Sequence, residues 1–323
     1  LRKASLYARS LGCLAWNKLY TSDFEGAWSL CQRGLEVAEE TNDGDTINWN
    51  RYVEGMVCLR TGKHDQAADC FDACLAYWGA SEAKFWQAKC LSNLGRTFYS
   101  WGKHEAAQHF LNRSLLLHGE VGDKLGMSIS HSRLADVATA INDYAEAERH
   151  LEDCLLLLGE FQPYWKATTL KKLGDIAHQR EQYARAMQYL KDSLLIFKDT
   201  GVEFRATETL ISLSRVNMAV GQGHQAWEGI REALRFAVER QPGLLALKAL
   251  LGVVILLREE RRYAGALELL AFVLANPGAD AHTRQEAEGL LAGLRRQVPE
   301  EVLARAQERA ALLDIRNIAS QYL

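Results

Sequence analysis

Proline is scarce, four in 323 residues, so few points interrupt backbone hydrogen bonding and long helices are free to form. The seven cysteines include no CxxC pair. Cys70 and Cys74 stand one helical turn apart, sharing a face rather than making a redox or metal motif. An odd count without a framework reads as small buried residues in a reducing compartment, and no signal peptide is evident, so the expected location is cytoplasmic. Excess charge is also missing. A net charge of -3 offers no general attraction to nucleic acid or to an anionic membrane. The longest apolar stretch, Gly243 to Leu257, is broken by Lys248 and falls short of the roughly 20 residues that span a bilayer. It reads as a buried helix.

Catalytic motifs are absent too. Gly221-Gln222-Gly223-His224 occupies a turn and makes no phosphate loop. There is no HExxH, and His104 and His109 are five apart, a poor spacing for one metal on one helical face. Ser130, His131 and Ser132 adjoin in sequence, which does not align a base with a nucleophile. No catalytic residue, metal or cofactor is expected, and the chain reads as a binding protein rather than an enzyme.

What is present is a repeat. Phe24, His64, His104, Tyr144, Tyr183, Gly223 and Tyr263 are spaced by 40, 40, 40, 39, 40 and 40 residues. Three residues after each comes alanine: Ala27, Ala67, Ala107, Ala147, Ala186, Ala226 and Ala266. Four further on stand Cys31, Phe71, Leu111, Leu151, Leu190, Ile230 and Leu270, and four beyond those the leucines 35, 75, 115, 155, 194, 234 and 274. Steps of three and four mark one buried face of a helix. Nine residues before each turn lies Ala15, Gly55, Gly95, Ala135, Gly174, Ser214 or Val254. Six of these seven are very small, which lets an earlier antiparallel helix cross closely. Polar turns such as Thr61-Gly62-Lys63, Trp101-Gly102-Lys103 and Ile141-Asn142-Asp143 supply helix caps.

The set Gly95, Ala107 and Leu111, with Leu91, Leu94 and Phe98 before it, resembles the tetratricopeptide repeat signature. The resemblance covers residues from about 5 to 276 in seven units. It departs in period, 40 rather than the usual 34 or so, and in lacking the closing proline, so the second helix or its exit loop is expected to be longer. The implied fold is all-α: a right-handed superhelical solenoid of antiparallel helix pairs. Residues 1–279 are expected to hold seven repeats. Residues 280–323 are expected to hold a partial eighth, Asp280 to Leu294, and capping helices at Glu300 to Leu313 and Ile315 to Leu323.

In such folds the first helices line a concave groove. By that resemblance, the groove positions are Trp16, Met56, Arg96, Asp136, Asp175 and Arg215, with Trp49, Lys89, Ile129, Asn93, Arg133 and Lys172 on neighbouring rows. The binding residues expected are Trp16, Trp49, Tyr52, Asn93, Arg96, Arg133, Asp136, Lys172, Asp175 and Arg215, arginines as forked donors and aromatics as anchors. The bland alternative pairs Arg96 with Asp136 and Asp175 with Arg215 across a solvated face. Asn93 and Arg133 match two places of the clamp with which some tetratricopeptide proteins hold a C-terminal carboxylate, but Ile129 and Met56 replace its other members, and that clamp is not expected.

The 40-residue period, linkers such as Glu120-Val121-Gly122-Asp123-Lys124-Leu125-Gly126, and the tail Val298 to Ala306 resemble the C-terminal sensor arrays of bacterial STAND-type signalling ATPases. This resemblance implies a nucleotide-switch module before residue 1 and a groove that takes a protein, a peptide or a small-molecule inducer, in transcription control or defence. No direct nucleic acid contact and no membrane partner are expected. The alternative is a constitutive protein–protein scaffold without a switch.

Overall fold

The computed structural model describes residues 2–21, 23–159, 162–240, 243–310 and 314–323, and every regular element among them is an α-helix. The chain divides into two compact units, Leu1–Gly159 and Glu160–Leu323. The first holds α1 (Arg2–Tyr20), α2 (Phe24–Thr41), α3 (Gly44–Arg60), α4 (His64–Ala80), α5 (Lys84–Ser100), α6 (His104–Glu120), α7 (Lys124–Ala140) and α8 (Tyr144–Leu158). The second holds α9 (Pro163–Gln179), α10 (Tyr183–Asp199), α11 (Glu203–Ala219), α12 (Gly223–Arg240), α13 (Leu244–Glu259), α14 (Tyr263–Ala275), α15 (Ala281–Arg295), α16 (Glu300–Ala310) and α17 (Ile315–Ser320). Each unit is built of tandem helix hairpins, a tetratricopeptide-like solenoid. No helix among the described residues is long and apolar enough to cross a membrane.

The 40-residue period follows from the helices. In α3 to α6 each spans 17 residues, and the connections are three residues long. The added length therefore sits in the helices and not in the exit loop. The turns close in the left-handed region at Gly62 (φ 77°), Gly102 (φ 77°) and Asn142 (φ 62°), where glycine and asparagine are tolerated best. Asp143 caps α8 by accepting from the Glu146 N–H at 3.1 Å, as its position in the turn suggests.

The seven repeat alanines are wholly buried, and Gly55, Gly95 and Gly174 lie under the second helix of their own hairpins. A Cβ at Gly95 would lie 2.5 Å from Leu111 Cγ and 3.1 Å from the Ala107 carbonyl oxygen, so the close crossing requires glycine there. The expected outer row of leucines holds only at Leu234, which is wholly buried. Leu35, Leu75, Leu115, Leu155, Leu194 and Leu274 are only half-buried, and the residues one before them, Gly34, Cys74, Ser114, Cys154, Ser193 and Val273, are buried instead. The helical period of 3.6 makes the buried steps four, three and four, and the leucines fall at the margin of the stripe. The row carries a regular staple. Cys74 Sγ donates to the Asn48 carbonyl (3.3 Å), Ser114 Oγ to the Ala88 carbonyl (2.9 Å) and Ser193 Oγ to the Ala167 carbonyl (2.8 Å), each tying a second helix to the first helix of its own hairpin.

The apolar stretch in α13 is a buried helix, as its sequence suggests: Leu245, Leu247, Leu250, Leu251, Val253 and Leu257 are all 2% exposed or less. It packs with α14 into one core that also takes Ala287 and Leu294 of α15, Ala306 and Ala310 of α16, and Ile318 of α17. The stretch thus buries itself within its own unit. The expected helix from Glu300 to Leu313 is α16 as far as Ala310, and its last residues, 311–313, lie outside the described residues.

Candidate functional site

In the first unit the first helices of successive hairpins, α3, α5 and α7, place Tyr52, Asn93 and Arg133 about one 40-residue period apart, and the structure joins them. Asn93 Nδ2 donates to the Tyr52 hydroxyl at 2.6 Å. Arg133 Nη1 donates to both the Ser92 carbonyl and Ser92 Oγ at 2.6 Å, and Nη2 reaches Asn93 Oδ1 at 3.3 Å. The Tyr52 hydroxyl is held far above its ordinary pKa by burial. Burial, and then the charge of Arg96, pulls the Arg133 guanidinium down to about 9, which leaves it protonated at neutral pH.

These three residues line a cavity of about 180 Å³ together with Phe85, Lys89, His118, Asp123 and Ile129. Lys89 Nζ sits over the Phe85 ring at 4.9 Å, and burial lowers its pKa. His118 Nδ1 lies 3.0 Å from Asp123 Oδ2, out of line for a hydrogen bond. The same Asp123 oxygen pair caps α7 through the Gly126 N–H at 2.9 Å. His118 stands in the core row that Trp78, Leu158 and Phe197 fill in other hairpins, and burial holds its pKa below the usual histidine value. Among the described residues neither Lys89 nor Arg133 makes an ion pair, so the cavity carries two cations against one carboxylate, which already faces a histidine.

The aromatic residues expected as anchors form a cluster of their own. Trp16, Trp49 and Tyr52 have ring centroids 6.0 to 6.2 Å apart, and Trp86, missed in the sequence, joins Trp49 at 5.9 Å and stacks on Trp78 at 5.0 Å. Tyr52 is 5% exposed, so its ring belongs to the core even as the residue lines the cavity. Trp16 also lines a second cavity, about 160 Å³, with Met56, Arg60 and Arg96. Asp136 is near enough to act electrostatically on Arg133 and Tyr99.

The second unit differs. Lys171 pairs with Asp175 (2.7 Å), Arg215 with Glu286 of α15 (2.7 Å), and Glu208 with both Arg205 (2.8 Å) and Lys248 (3.0 Å). The pairing expected between Asp175 and Arg215 is replaced by these bonds, because Glu286 reaches Arg215 from a helix far along the chain. A cavity of about 230 Å³ here is lined by Lys171, Asp175, His178, Glu208, Arg215, Lys248 and Glu286, and Lys172 is not part of its lining. Its charges are matched in sign and largely paired.

A second cluster escaped the sequence reading. His131 of α7 and His150 and Asp153 of α8 bring their ligand atoms within 4.8 Å of one another. No local spacing could show it, since the two histidines stand on different helices.

The hairpins, their small-residue crossings and their period define a tetratricopeptide-like solenoid. Residues 45–117 and 121–199 match the tetratricopeptide repeat family model, and these segments are tetratricopeptide repeats. Over 121 residues the chain is 24% identical to the regulatory protein AfsR of Streptomyces coelicolor, a match covering 38% of this chain and 12% of that protein; the chain thus spans a small part of the curated relative. The apo form of the quorum sensor NprR from B. thuringiensis is similar in fold, with a TM-score of 0.71 at 16% identity, covering 98% of this chain and 88% of that one. The STAND protein PH0952 of Pyrococcus horikoshii, with its tetratricopeptide repeat sensor, has a TM-score of 0.61 at 15% identity, covering 91% of this chain and 48% of that one. At these identities the likeness to solved structures is one of fold.

Proposed function

We propose that the chain is a ligand-sensing tetratricopeptide module whose recognition centre is the cavity lined by Tyr52, Lys89, Asn93 and Arg133. The ligand is a peptide or small molecule presenting an anionic group. One observation carries the reading: a hydrogen-bonded relay across three successive first helices opens on a cavity with two cations that lack carboxylate partners. A charge held in place by neighbouring hydrogen bonds needs little reordering to receive an anion, and a guanidinium offers it a fork. Because the relay crosses three hairpins, a ligand seated there bears on the packing of α3, α5 and α7 together, which lets binding bias a conformational equilibrium.

The resemblance to sensor arrays, the match to AfsR and the fold shared with a quorum sensor and a STAND sensor support a regulatory role, with the module working beside a nucleotide switch in a larger protein. The gene tests that part directly: a phosphate-binding loop encoded upstream of the Leu1 codon supports it, and its absence from the whole gene leaves a scaffold.

The binding site is tested by thermal shift against short peptides with free or amidated C-termini and against organic dianions, using wild type, Lys89→Gln and Arg133→Gln. A ligand that raises the wild-type Tm, weakens on amidation and loses at least about tenfold affinity in either variant supports the cavity. A ligand that stabilises wild type and variants alike places recognition elsewhere.

A further inference from the structure

The hairpin α7–α8 holds a group of side chains that the proposed recognition cavity does not use. His131 Nδ1 and His150 Nδ1 face each other at 3.0 Å. Asp153 Oδ2 stands 3.8 Å from His131 Nδ1. Both histidines are 9% exposed or less, whereas the carboxylate keeps an open side toward water. We propose that His131, His150 and Asp153 form a zinc-binding site, with water completing a tetrahedron on the exposed side.

Zinc is bound by imidazole and carboxylate at roughly 2.0–2.2 Å, which sets neighbouring ligand atoms roughly 3.3–3.5 Å apart in a tetrahedron. The two His131 separations bracket that value, and all three ligand atoms lie within 4.8 Å of one another, so the histidine pair needs to open slightly and the carboxylate to close on the rings. The outer partner is also in place. His150 Nε2 lies 3.2 Å from Glu146 Oε1. Arg149 Nη2 also reaches His150 Nε2, at 3.4 Å; once Arg149 gives way, a carboxylate accepting from the far ring N–H leaves the lone pair on Nδ1, the arrangement that accompanies most metal-bound histidines. Without an ion, a proton on one of the two facing Nδ1 atoms joins the rings; with one, that ring is taken as its Nε2–H tautomer, and no proton leaves the protein.

Arg149 competes. Its Nη1 reaches Asp153 Oδ2 at 3.1 Å and its Nη2 reaches Glu146 Oε1 at 2.6 Å. The side chain is 54% exposed, and exposed pairs are weak and exchange readily, so a divalent ion displaces it from Asp153.

The test is isothermal titration of the full chain with zinc after chelator treatment, repeated with cobalt(II) followed by absorption. One zinc per chain is expected, with a rise in Tm, since the ion binds the folded hairpin alone. His131→Asn and Asp153→Asn weaken binding by more than about tenfold, Glu146→Gln weakens it about tenfold, and Arg149→Ala binds as tightly as wild type or tighter. Cobalt gives tetrahedral d–d bands without thiolate charge transfer, which separates this site from the free cysteines. Asp153 is at the surface, so its variant keeps the test open if a histidine variant fails to fold. No stoichiometric zinc, full affinity in Asp153→Asn, or thiolate charge transfer overturns the proposal and leaves the histidines as a hydrogen-bonded pair.

Discussion

The same substitution, glycine to alanine inside a helix, is expected to change stability in opposite directions at two positions of the second unit. In an unhindered helix interior, alanine is favoured over glycine by about 1 kcal/mol, because glycine loses more backbone freedom on folding. Gly289 in α15 has nothing within 4 Å of where a Cβ would stand, so Gly289→Ala should stabilise by about 0.5–1 kcal/mol. Gly174 in α9 carries the same gain, but a Cβ there would sit 2.6 Å from Leu190 Cγ and 2.8 Å from Cδ2, with the Ala186 carbonyl oxygen at 3.3 Å. Carbons rest at roughly 3.5–4.0 Å, and Leu190 is fully buried, so it moves only by leaving its rotamer or spreading the hairpin. Overpacking costs about 1–3 kcal/mol; a 2.6 Å clash against a fully buried side chain belongs in the upper half of that range, which outweighs the propensity gain and leaves Gly174→Ala destabilising by about 1–2 kcal/mol. Gly95→Ala should repeat that result in the first unit, where Leu111 Cγ lies 2.5 Å from the added atom. Leu111→Ala makes room, so the double variant Gly95→Ala/Leu111→Ala should lose less than the two single changes together by about 1 kcal/mol. Urea unfolding followed by circular dichroism reads all of these. A neutral or stabilising Gly174→Ala, or strict additivity at Gly95 and Leu111, would show that the hairpins do not depend on close crossing.

Ser114→Ala and Ser193→Ala each remove a bond from a second helix to the carbonyl of the first helix in their hairpin and should cost about 1 kcal/mol in urea unfolding. Glu208→Gln leaves Arg205 and Lys248 short of a buried counter-charge and should cost about 1–3 kcal/mol, whereas Glu228→Gln, whose side chain is 64% exposed, should be close to neutral by the same assay. Acid should destabilise the fold in two stages. Burial, joined at His178 by the charge of Arg215, lowers the folded pKa of His118 and His178 below 6.5, so their contribution is complete above pH 6.5 and is lost as pH falls through their folded values. Burial opposes ionisation of Glu208, but Lys248 and Arg205 outweigh it and hold its pKa below 4.5, so a second loss follows at lower pH. Tm measured from pH 8 to pH 4 should fall from about pH 6.5 downward, and the fall just below that point should shrink in His118→Gln if the protein stays folded; a flat profile across that range refutes neutral burial of these rings.

The repeat itself was legible because its signals are local. An alanine, a large apolar residue four later and a small residue nine before the turn are set by the helical period and by close helix approach; the alanine recurs seven times and each of the others six. Turn glycines and the Asp143 cap are likewise short-range, and the structure places them as the spacing indicates. The outer leucine row misled because a step of four was continued where the helix turns at 3.6, which gave the buried place to Cys74, Ser114 and Ser193.

Chemistry between helices needed the tertiary structure. Tyr52, Asn93 and Arg133 were expected on the binding surface as separate residues, but their joining into one relay depends on how three helices stack. Glu286 was invisible as the partner of Arg215 because 71 residues separate them. His131 and His150 meet only because α7 and α8 fold back on each other, and the sequence shows them merely as two histidines 19 apart. Sequence alone determined the helices, their period and the inner part of their buried stripe, since these follow from backbone geometry within a few residues. Which polar groups face one another was decided by packing, since a charge or a ring nitrogen gains its role from whatever the neighbouring helix brings within reach.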